Sequence, residues 1–130
     1  MFDTVMVDGE SMMPTLRNME RIVIMKTFNK QPKRGDIIAT KYPQRTGYFV
    51  KRVIALPGET IEIKNGIAYV NGEKDTNGNG LSAPDYGLAV VPPGHIFVLG
   101  DNRANSVDSH NLPDGGFIPM DYILGRALKN

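Results

Sequence analysis

The sequence predicts a mostly β fold of short antiparallel strands with a small inserted hairpin and loop region. Gly and Pro supply 14 and 9 of the 130 residues, more than their average share, and they separate short runs rich in Val, Ile, Phe and Tyr. No apolar run exceeds about four residues, too few for a membrane-spanning helix or a signal-peptide core. Short β-rich runs between turn residues are typical of an all-β chain.

Several segments have the composition and the flanking turn residues of a strand. Asn65-Gly66 separates two of them and predicts a hairpin, because a type I′ turn needs positive φ at both central residues. Asn71-Gly72 and Pro57-Gly58 predict two further tight turns. The predicted strands are residues 4–7, 21–26, 36–40, 48–55, 60–64, 67–70 and 95–99.

We predict a single domain of residues 1–130. Its core comprises residues 1–64 and 91–130, and residues 65–90 form the inserted hairpin and loop. Within the insertion, residues 73–86 are small and polar, which favours a flexible loop. Residues 119–124 are predicted to form one helical turn, with Pro119 at its first position and Gly125 ending it.

The composition argues against several classes of function. The chain has no Cys, so neither a disulfide framework nor a thiolate zinc site is available, and two His argue against a multi-histidine metal site. A net charge of +1 is too small for an electrostatic nucleic-acid binder. We therefore expect no metal, no cofactor and no nucleic-acid partner.

Ser11 lies at a sharp turn after the first predicted strand, in the sequence Gly9-Glu10-Ser11-Met12-Met13-Pro14. A serine before such a turn is usually a cap or turn residue. It becomes a nucleophile when a base lies beside it. A Ser-His-Asp triad is one such arrangement, but nothing in the sequence places His95 or His110 next to Ser11.

Lys51 is the second candidate, because it lies within an apolar strand. Strand alternation puts it on the face of Phe49 and Val53, while Arg52 points the other way. If that face is buried, desolvation lowers the pKa of the amine, and a neutral amine can take a proton from a serine hydroxyl. The alternative is an edge strand from which Lys51 extends its amine into water.

Residues 100–110 form a loop of polar and small side chains after an apolar strand. Such loops are often solvated turns. The density of hydroxyls, carboxylates and an arginine here favours a hydrogen-bonded platform beneath a site.

Together these pieces resemble the catalytic part of the bacterial type I signal peptidases, the Ser/Lys membrane proteases that cut secretory signal peptides. The similarity covers residues 4–128, and the compact insertion looks more like Gram-positive members than enterobacterial ones. The matching segments are residues 9–16, 34–38, 48–59, 100–103 and 106–109.

The resemblance implies a role for each matching position. Ser11 would be the nucleophile, Lys51 the general base, and Ser106 the hydroxyl that holds the Lys51 amine. Asp108 would pair with Arg52.

Other matching residues would support the site or bind the substrate. Gly100 would keep the loop close to the strands, and Asp101 and Arg103 would brace it. The substrate would lie extended between two strands by strand addition. Its binding residues would be Val7, Asp8, Gly9, Phe49 and Val50.

The function implied is removal of signal peptides from exported preproteins through an acyl-enzyme, with cleavage after small residues of the Ala-x-Ala type. The partners would be signal peptides and the membrane surface. The location would be the cell membrane, with the catalytic domain on its extracytoplasmic face. We expect a truncated form without the family's N-terminal anchor, in which Met1 replaces upstream sequence.

Two positions depart from the family pattern. Gly9 stands where some members have a hydroxyl residue that helps bind the oxyanion, which leaves the second oxyanion donor unidentified. His110 stands where the family usually has Arg.

Two alternatives from other classes remain. Self-cleaving repressor domains share a Ser/Lys pair and a related fold, but no DNA-binding segment or cleavable linker precedes Ser11 here. A non-catalytic relative that assists surface-protein assembly would be expected to lose Ser11 or Lys51, and both are present.

Overall fold

The computed structural model describes residues 2–26, 31–43, 45–82, 84–106, 108–111 and 116–128, and the side chain of His110 lies outside this description. The described chain is almost entirely β, as predicted, with two antiparallel sheets and two short 3-10 helices, Ser109–Asn111 and Met120–Tyr122. The strands are β1 (Phe2–Met6), β2 (Arg21–Met25), β3 (Ile37–Thr40), β4 (Phe49–Ala55), β5 (Thr60–Lys64), β6 (Ile67–Val70), β7 (Glu73–Lys74), β8 (Tyr86–Val90), β9 (His95–Leu99), β10 (Ile118–Pro119) and β11 (Ile123–Ala127).

The larger sheet has seven strands in the order β1-β2-β11-β3-β4-β9-β10. Strand β4 lies inside it, with Lys51 opposite Ile38 of β3 and Arg52 opposite Leu99 of β9. Every residue of β4 from Val50 to its end is buried. The edge-strand alternative for Lys51 is therefore wrong, because neighbours on both sides remove its amine from water.

The smaller sheet has four strands in the order β7-β6-β5-β8. The Asn65-Gly66 turn joins β5 to β6 with φ values of 53° and 82°, as a type I′ turn requires. The predicted insertion therefore begins too late: β5, which starts at Thr60, pairs with β6 and β8 and belongs to this sheet. Part of the predicted loop is also strand, since β7 and the start of β8 fall within residues 73–86.

The C-terminal segment differs from its prediction. The helical turn is shorter than expected, with Pro119 as its N-cap, and Gly125 lies within β11 instead of ending a helix. A Cβ at Gly125 would clash with the Met25 carbonyl oxygen and would lie 2.6 Å from a methyl group of Ile24. Glycine is needed here because β2 and β11 approach closely, not because a helix stops.

Apolar clusters hold the functional elements in place. Met12 and Leu16, on either side of the turn after Ser11, are both fully buried against β2 and β3. A second cluster joins the two sheets, with Phe97 of β9 packed against Ile61 and Ile63 of β5. No helix among the described residues is long and apolar enough to cross a membrane.

Candidate active site

Ser11 lies on the turn that follows β1, and hydrogen bonds from Asn102 hold its backbone. The Asn102 N–H donates to the Ser11 carbonyl at 2.8 Å, and the Asn102 side-chain amide donates to the Glu10 carbonyl at 3.1 Å. Met12 anchors the same turn in the core. These contacts fix the Ser11 backbone relative to the loop that follows β9.

The Lys51 amine lies between two hydroxyls. Its Nζ is 2.7 Å from Ser11 Oγ and 3.0 Å from Ser106 Oγ. The side chain is only 3% exposed. The structure therefore brings together the three residues that the sequence analysis singled out for catalysis.

Burial lowers the pKa of Lys51 to about 8, although the negative charge of Asp108 acts in the opposite direction. An ammonium with this pKa is about half neutral at pH 8 and about one-tenth neutral at pH 7. The free lone pair of the amine can then accept the Ser11 proton over the 2.7 Å contact. The pair has the geometry and the electrostatics of a nucleophile with its general base.

The loop after β9 approaches the Ser11 backbone closely at Gly100. The Gly100 N–H donates to the Asp108 carboxylate at 2.8 Å, and the Gly100 carbonyl accepts from Arg103 Nε at 2.9 Å. A Cβ at this position would lie 2.5 Å from the Ser11 carbonyl oxygen and would also clash with the Ser106 hydroxyl. The absence of a side chain at Gly100 thus allows the loop to approach Ser11 closely.

Gly100→Ala is therefore expected to separate Ser11 from Ser106 and to reduce turnover of a cleavable peptide by about 10²-fold, the usual effect of a misplacement near 1 Å. The matched control is Gly87→Ala, because a Cβ at Gly87 in β8 would meet nothing within 4 Å and would require no positive φ. Peptide-cleavage kinetics on both variants check this. Equal turnover in the two variants would show that the close approach at Gly100 is not needed.

Asp108 does not pair with Arg52, contrary to the sequence prediction. Arg52 instead forms a two-point ion pair with Asp101, with its Nε 2.9 Å and its Nη2 2.8 Å from the two carboxylate oxygens. Thr15 donates to the same carboxylate, and Arg52 Nη1 donates to the Gly35 carbonyl. The reason is strand alternation: Arg52 leaves the face of β4 opposite Lys51, whereas Asp108 acts electrostatically on Lys51.

Arg103 forms an ion pair with Asp75, a partner that the sequence did not predict. Arg103 Nη2 lies 2.7 Å from the Asp75 carboxylate, and both side chains are buried. Asp75 lies in the segment predicted to be a flexible loop, and no local sequence signal distinguishes it from other loop carboxylates. The contact of Thr15 with Asp101 was not predicted either, because no local sequence signal indicates it.

A cleft of about 480 Å³ opens onto Ser11, Lys51 and Ser106. Its walls are the end of β1 with the following turn, the start of β4, and the loop after β9. All five predicted substrate-binding residues line it, namely Val7, Asp8, Gly9, Phe49 and Val50. Five other lining residues were not predicted from the sequence, namely Met6, Glu10, Tyr48, Ala104 and Asn105. Each is a chain neighbour of a predicted site residue, and that adjacency was the available signal.

The Ser11 N–H is one backbone group of this cleft that is available to an oxyanion. Among the described residues, no hydrogen bond uses the N–H of Ser11. The Gly9 N–H is already engaged, because it donates to the Asn18 side chain at 2.8 Å. The second donor is therefore neither a side chain at Gly9 nor its backbone.

His95 takes no part in the described site. His95 Nδ1 lies 2.8 Å from the Pro93 carbonyl, and the residue does not line the cleft. The side chain of His110 lies outside the described residues, so the effect of its replacing the family's usual Arg is untested. The described residues contain no cluster of three or more His, Asp or Glu side chains placed to hold a metal ion.

Several known proteins are similar to this chain. The family described as "Signal peptidase, peptidase S26" matches residues 1–129. A probable signal peptidase I-1 of Synechocystis sp. is 43% identical over 94% of this chain and 67% of its own length. Signal peptidase I T of Bacillus subtilis is 39% identical over 98% of this chain and 72% of its own length.

A solved structure also resembles the chain. The crystal structure of a signal peptidase I from Enterococcus faecalis superposes with a TM-score of 0.59 at 32% sequence identity. The match covers 74% of this chain and 96% of that one.

Proposed function

The chain belongs to the signal peptidase family and is a serine endopeptidase that removes signal peptides from preproteins, and we propose that it does so with Ser11 as nucleophile and Lys51 as general base. The observation that carries this assignment is the 2.7 Å contact between the Lys51 amine and the Ser11 hydroxyl inside one cleft that both residues line. The lowered pKa of Lys51 supports it, because a general base must be unprotonated at working pH.

The reaction begins with the neutral Lys51 amine. The amine takes the Ser11 proton as Oγ bonds to the scissile carbonyl carbon, and the Ser11 N–H donates to the developing oxyanion. Lys51 then passes the proton to the leaving nitrogen, the C–N bond breaks, and the mature chain departs. An ester between Ser11 and the signal peptide remains.

Deacylation repeats these steps with water. Lys51 takes a proton from a water molecule as its oxygen attacks the ester carbon, and the bond to Ser11 Oγ breaks with return of the proton to that oxygen. Ser106, 3.0 Å from Nζ, holds the amine in line for both halves of the reaction. Asp108 favours the ammonium that forms transiently.

The shape of the cleft supports an extended substrate, which the enzyme would cut after small residues. Its walls include the turn at Val7, Asp8 and Gly9 and the start of β4. An extended peptide between them would form main-chain hydrogen bonds, with alternate side chains entering shallow pockets. Ala-x-Ala sequences satisfy that arrangement. A location at the extracytoplasmic face of the cell membrane would bring the enzyme to exported substrates of this kind.

The rate of cleavage is expected to rise with pH and to level off above the Lys51 pKa of about 8. Only the neutral amine reacts, so kcat/KM is expected to fall about tenfold per pH unit on the acid side. The measurement is cleavage of a detergent-presented signal peptide ending in Ala-x-Ala from about pH 6 to about pH 10, with the product mass locating the cut after the last Ala. A rate that stays flat over this range would contradict a lysine base.

A further inference from the structure

We propose that Asp75 is a positioning residue for peptide cleavage, acting through Arg103 on the loop that holds Ser106 and Asn102 against Lys51 and Ser11. The inference rests on the proposed roles of Ser11 and Lys51. It assigns a function in the reaction to the segment between β7 and β8, which contains none of the residues that line the cleft.

Side chains connect the segment between β7 and β8 to the loop after β9. Arg103 donates from Nη2 to the Asp75 carboxylate at 2.7 Å and to the Asn77 carbonyl at 2.8 Å, and from Nε to the Gly100 carbonyl at 2.9 Å. The guanidinium thus joins the inserted segment to the start of the loop after β9. The exposed fractions of the Arg103 and Asp75 side chains are 5% and 8%.

Backbone hydrogen bonds connect the same two segments. The Asn79 N–H donates to the Asp101 carbonyl at 2.7 Å, and the Arg103 N–H donates to the Asn79 carbonyl at 2.9 Å. Asn79 and Asn102 form a parallel bridge between these bonds. The inserted segment is therefore bound to the loop by backbone hydrogen bonds as well as by the ion pair between Asp75 and Arg103.

Two further contacts lead from the loop to the reacting atoms. The Asn102 N–H holds the Ser11 carbonyl at 2.8 Å, and the Ser106 hydroxyl holds the Lys51 amine at 3.0 Å. The two loop residues that make these contacts lie within three positions of Arg103 in the sequence. A shift of Arg103 therefore displaces the nucleophile and the base relative to each other.

The charge of Asp75 is needed, and not only its volume. A buried guanidinium without a carboxylate partner must move toward water or stay buried at a large cost. Asp101, whose pKa the Arg103 charge lowers, is already paired with Arg52. Loss of the Asp75 charge is therefore expected to release Arg103 and loosen the loop.

Asp75→Asn tests this with kinetics on the Ala-x-Ala signal peptide. We expect kcat to fall by about 10²-fold with a smaller change in KM. We also expect the pH midpoint of the rate to rise, because a loosened loop admits water to Lys51, which otherwise faces Ser11, Ser106 and the charge of Asp108. The control is Glu73→Gln on β7, an exposed carboxylate, which is expected to leave kcat and the midpoint unchanged.

A second pair of variants displaces Arg103 without removing any charge. A Cβ at Gly78 would lie 2.6 Å from Arg103 Nε, whereas a Cβ at Gly80 would have its nearest contact at 3.8 Å. The two glycines have similar φ values of 89° and 84°, so Gly78→Ala and Gly80→Ala carry the same backbone strain. We expect only Gly78→Ala to reduce kcat, and this comparison remains decisive if Asp75→Asn does not fold.

The outcomes separate the inference from the proposed function. If Asp75→Asn and Gly78→Ala melt at lower temperature but keep wild-type kcat and pH midpoint when folded, the segment is merely structural and the inference is overturned. If Ser11→Ala cleaves as fast as wild type, the proposed role of Ser11 is overturned, and the inference that rests on it is overturned as well. Wild-type cleavage, an inactive Ser11→Ala and a slow Asp75→Asn with a raised midpoint support both.

Discussion

Ser11→Ala and Lys51→Met are each expected to lower kcat/KM for a signal peptide ending in Ala-x-Ala by at least ~10³-fold. Ser11→Ala removes the oxygen that forms the acyl-enzyme. Lys51→Met removes the base 2.7 Å from it while keeping an apolar stem of similar length. Because the two residues act as a unit, the double variant is expected to be no slower than the slower single variant.

Folding of these variants is the necessary control. Below its pKa of about 8, Lys51 carries a buried charge that costs desolvation, and methionine carries none. The melting temperature of Lys51→Met at neutral pH is therefore expected to equal or exceed that of wild type. A well-folded Lys51→Met that retains cleavage would remove lysine from the mechanism, and multiplicative losses in the double variant would show that Ser11 and Lys51 act independently.

The sequence was informative about the strands and turns wherever local chemistry determines them. Asn65-Gly66 predicted its hairpin because few residues tolerate φ values of 53° and 82°. Strand alternation predicted that Lys51 and Arg52 point to opposite faces of β4, which the separate partners Ser11 and Asp101 confirm. Pairing of Ser11 with Lys51 came from the resemblance, since nothing local relates residues so distant in sequence.

Predictions failed where a residue had two physical explanations. Gly125 was interpreted as a helix end, but it is required by the close approach of β2 to β11, and only the tertiary fold distinguishes the two. Asp101 and Asp108 lie in one loop and either carboxylate was chemically able to pair with Arg52. The choice depends on which side of β4 each carboxylate reaches.

The small sheet was the least predictable part of the chain. β7 has only two residues, and β8 contains Gly87 and follows a polar stretch. Short strands of this kind form because β5 and β6 provide paired backbone and an apolar face, not because of their own composition. The contact of Asp75 with Arg103 depends on that tertiary arrangement and has no sequence signature.

Asp101→Ala is expected to lower the free energy of unfolding by about 3–5 kcal/mol, because it leaves the Arg52 charge buried without a partner. Arg52 and Asp101 are only 7% and 1% exposed, and the two hydrogen bonds between them measure 2.9 and 2.8 Å. Burial alone would raise the pKa of Asp101, but hydrogen bonds from Arg52 and Thr15 hold it below its usual value. The carboxylate therefore contributes stability above its unfolded-state pKa, and that contribution is lost as the pH falls through the lower folded-state pKa.

Urea unfolding at neutral pH measures this loss, with Asp3→Ala as the matched control. Asp3 pairs with Lys26 at 3.5 Å, but about half of each side chain is exposed, so that variant is expected to lose at most about 1 kcal/mol. Arg52→Ala combined with Asp101→Ala is expected to cost less than the sum of the two single variants, since removing both partners leaves no orphaned charge. Equal losses for Asp3→Ala and Asp101→Ala would mean that water reaches Arg52 and that the ion pair does not anchor β4 to the loop after β9.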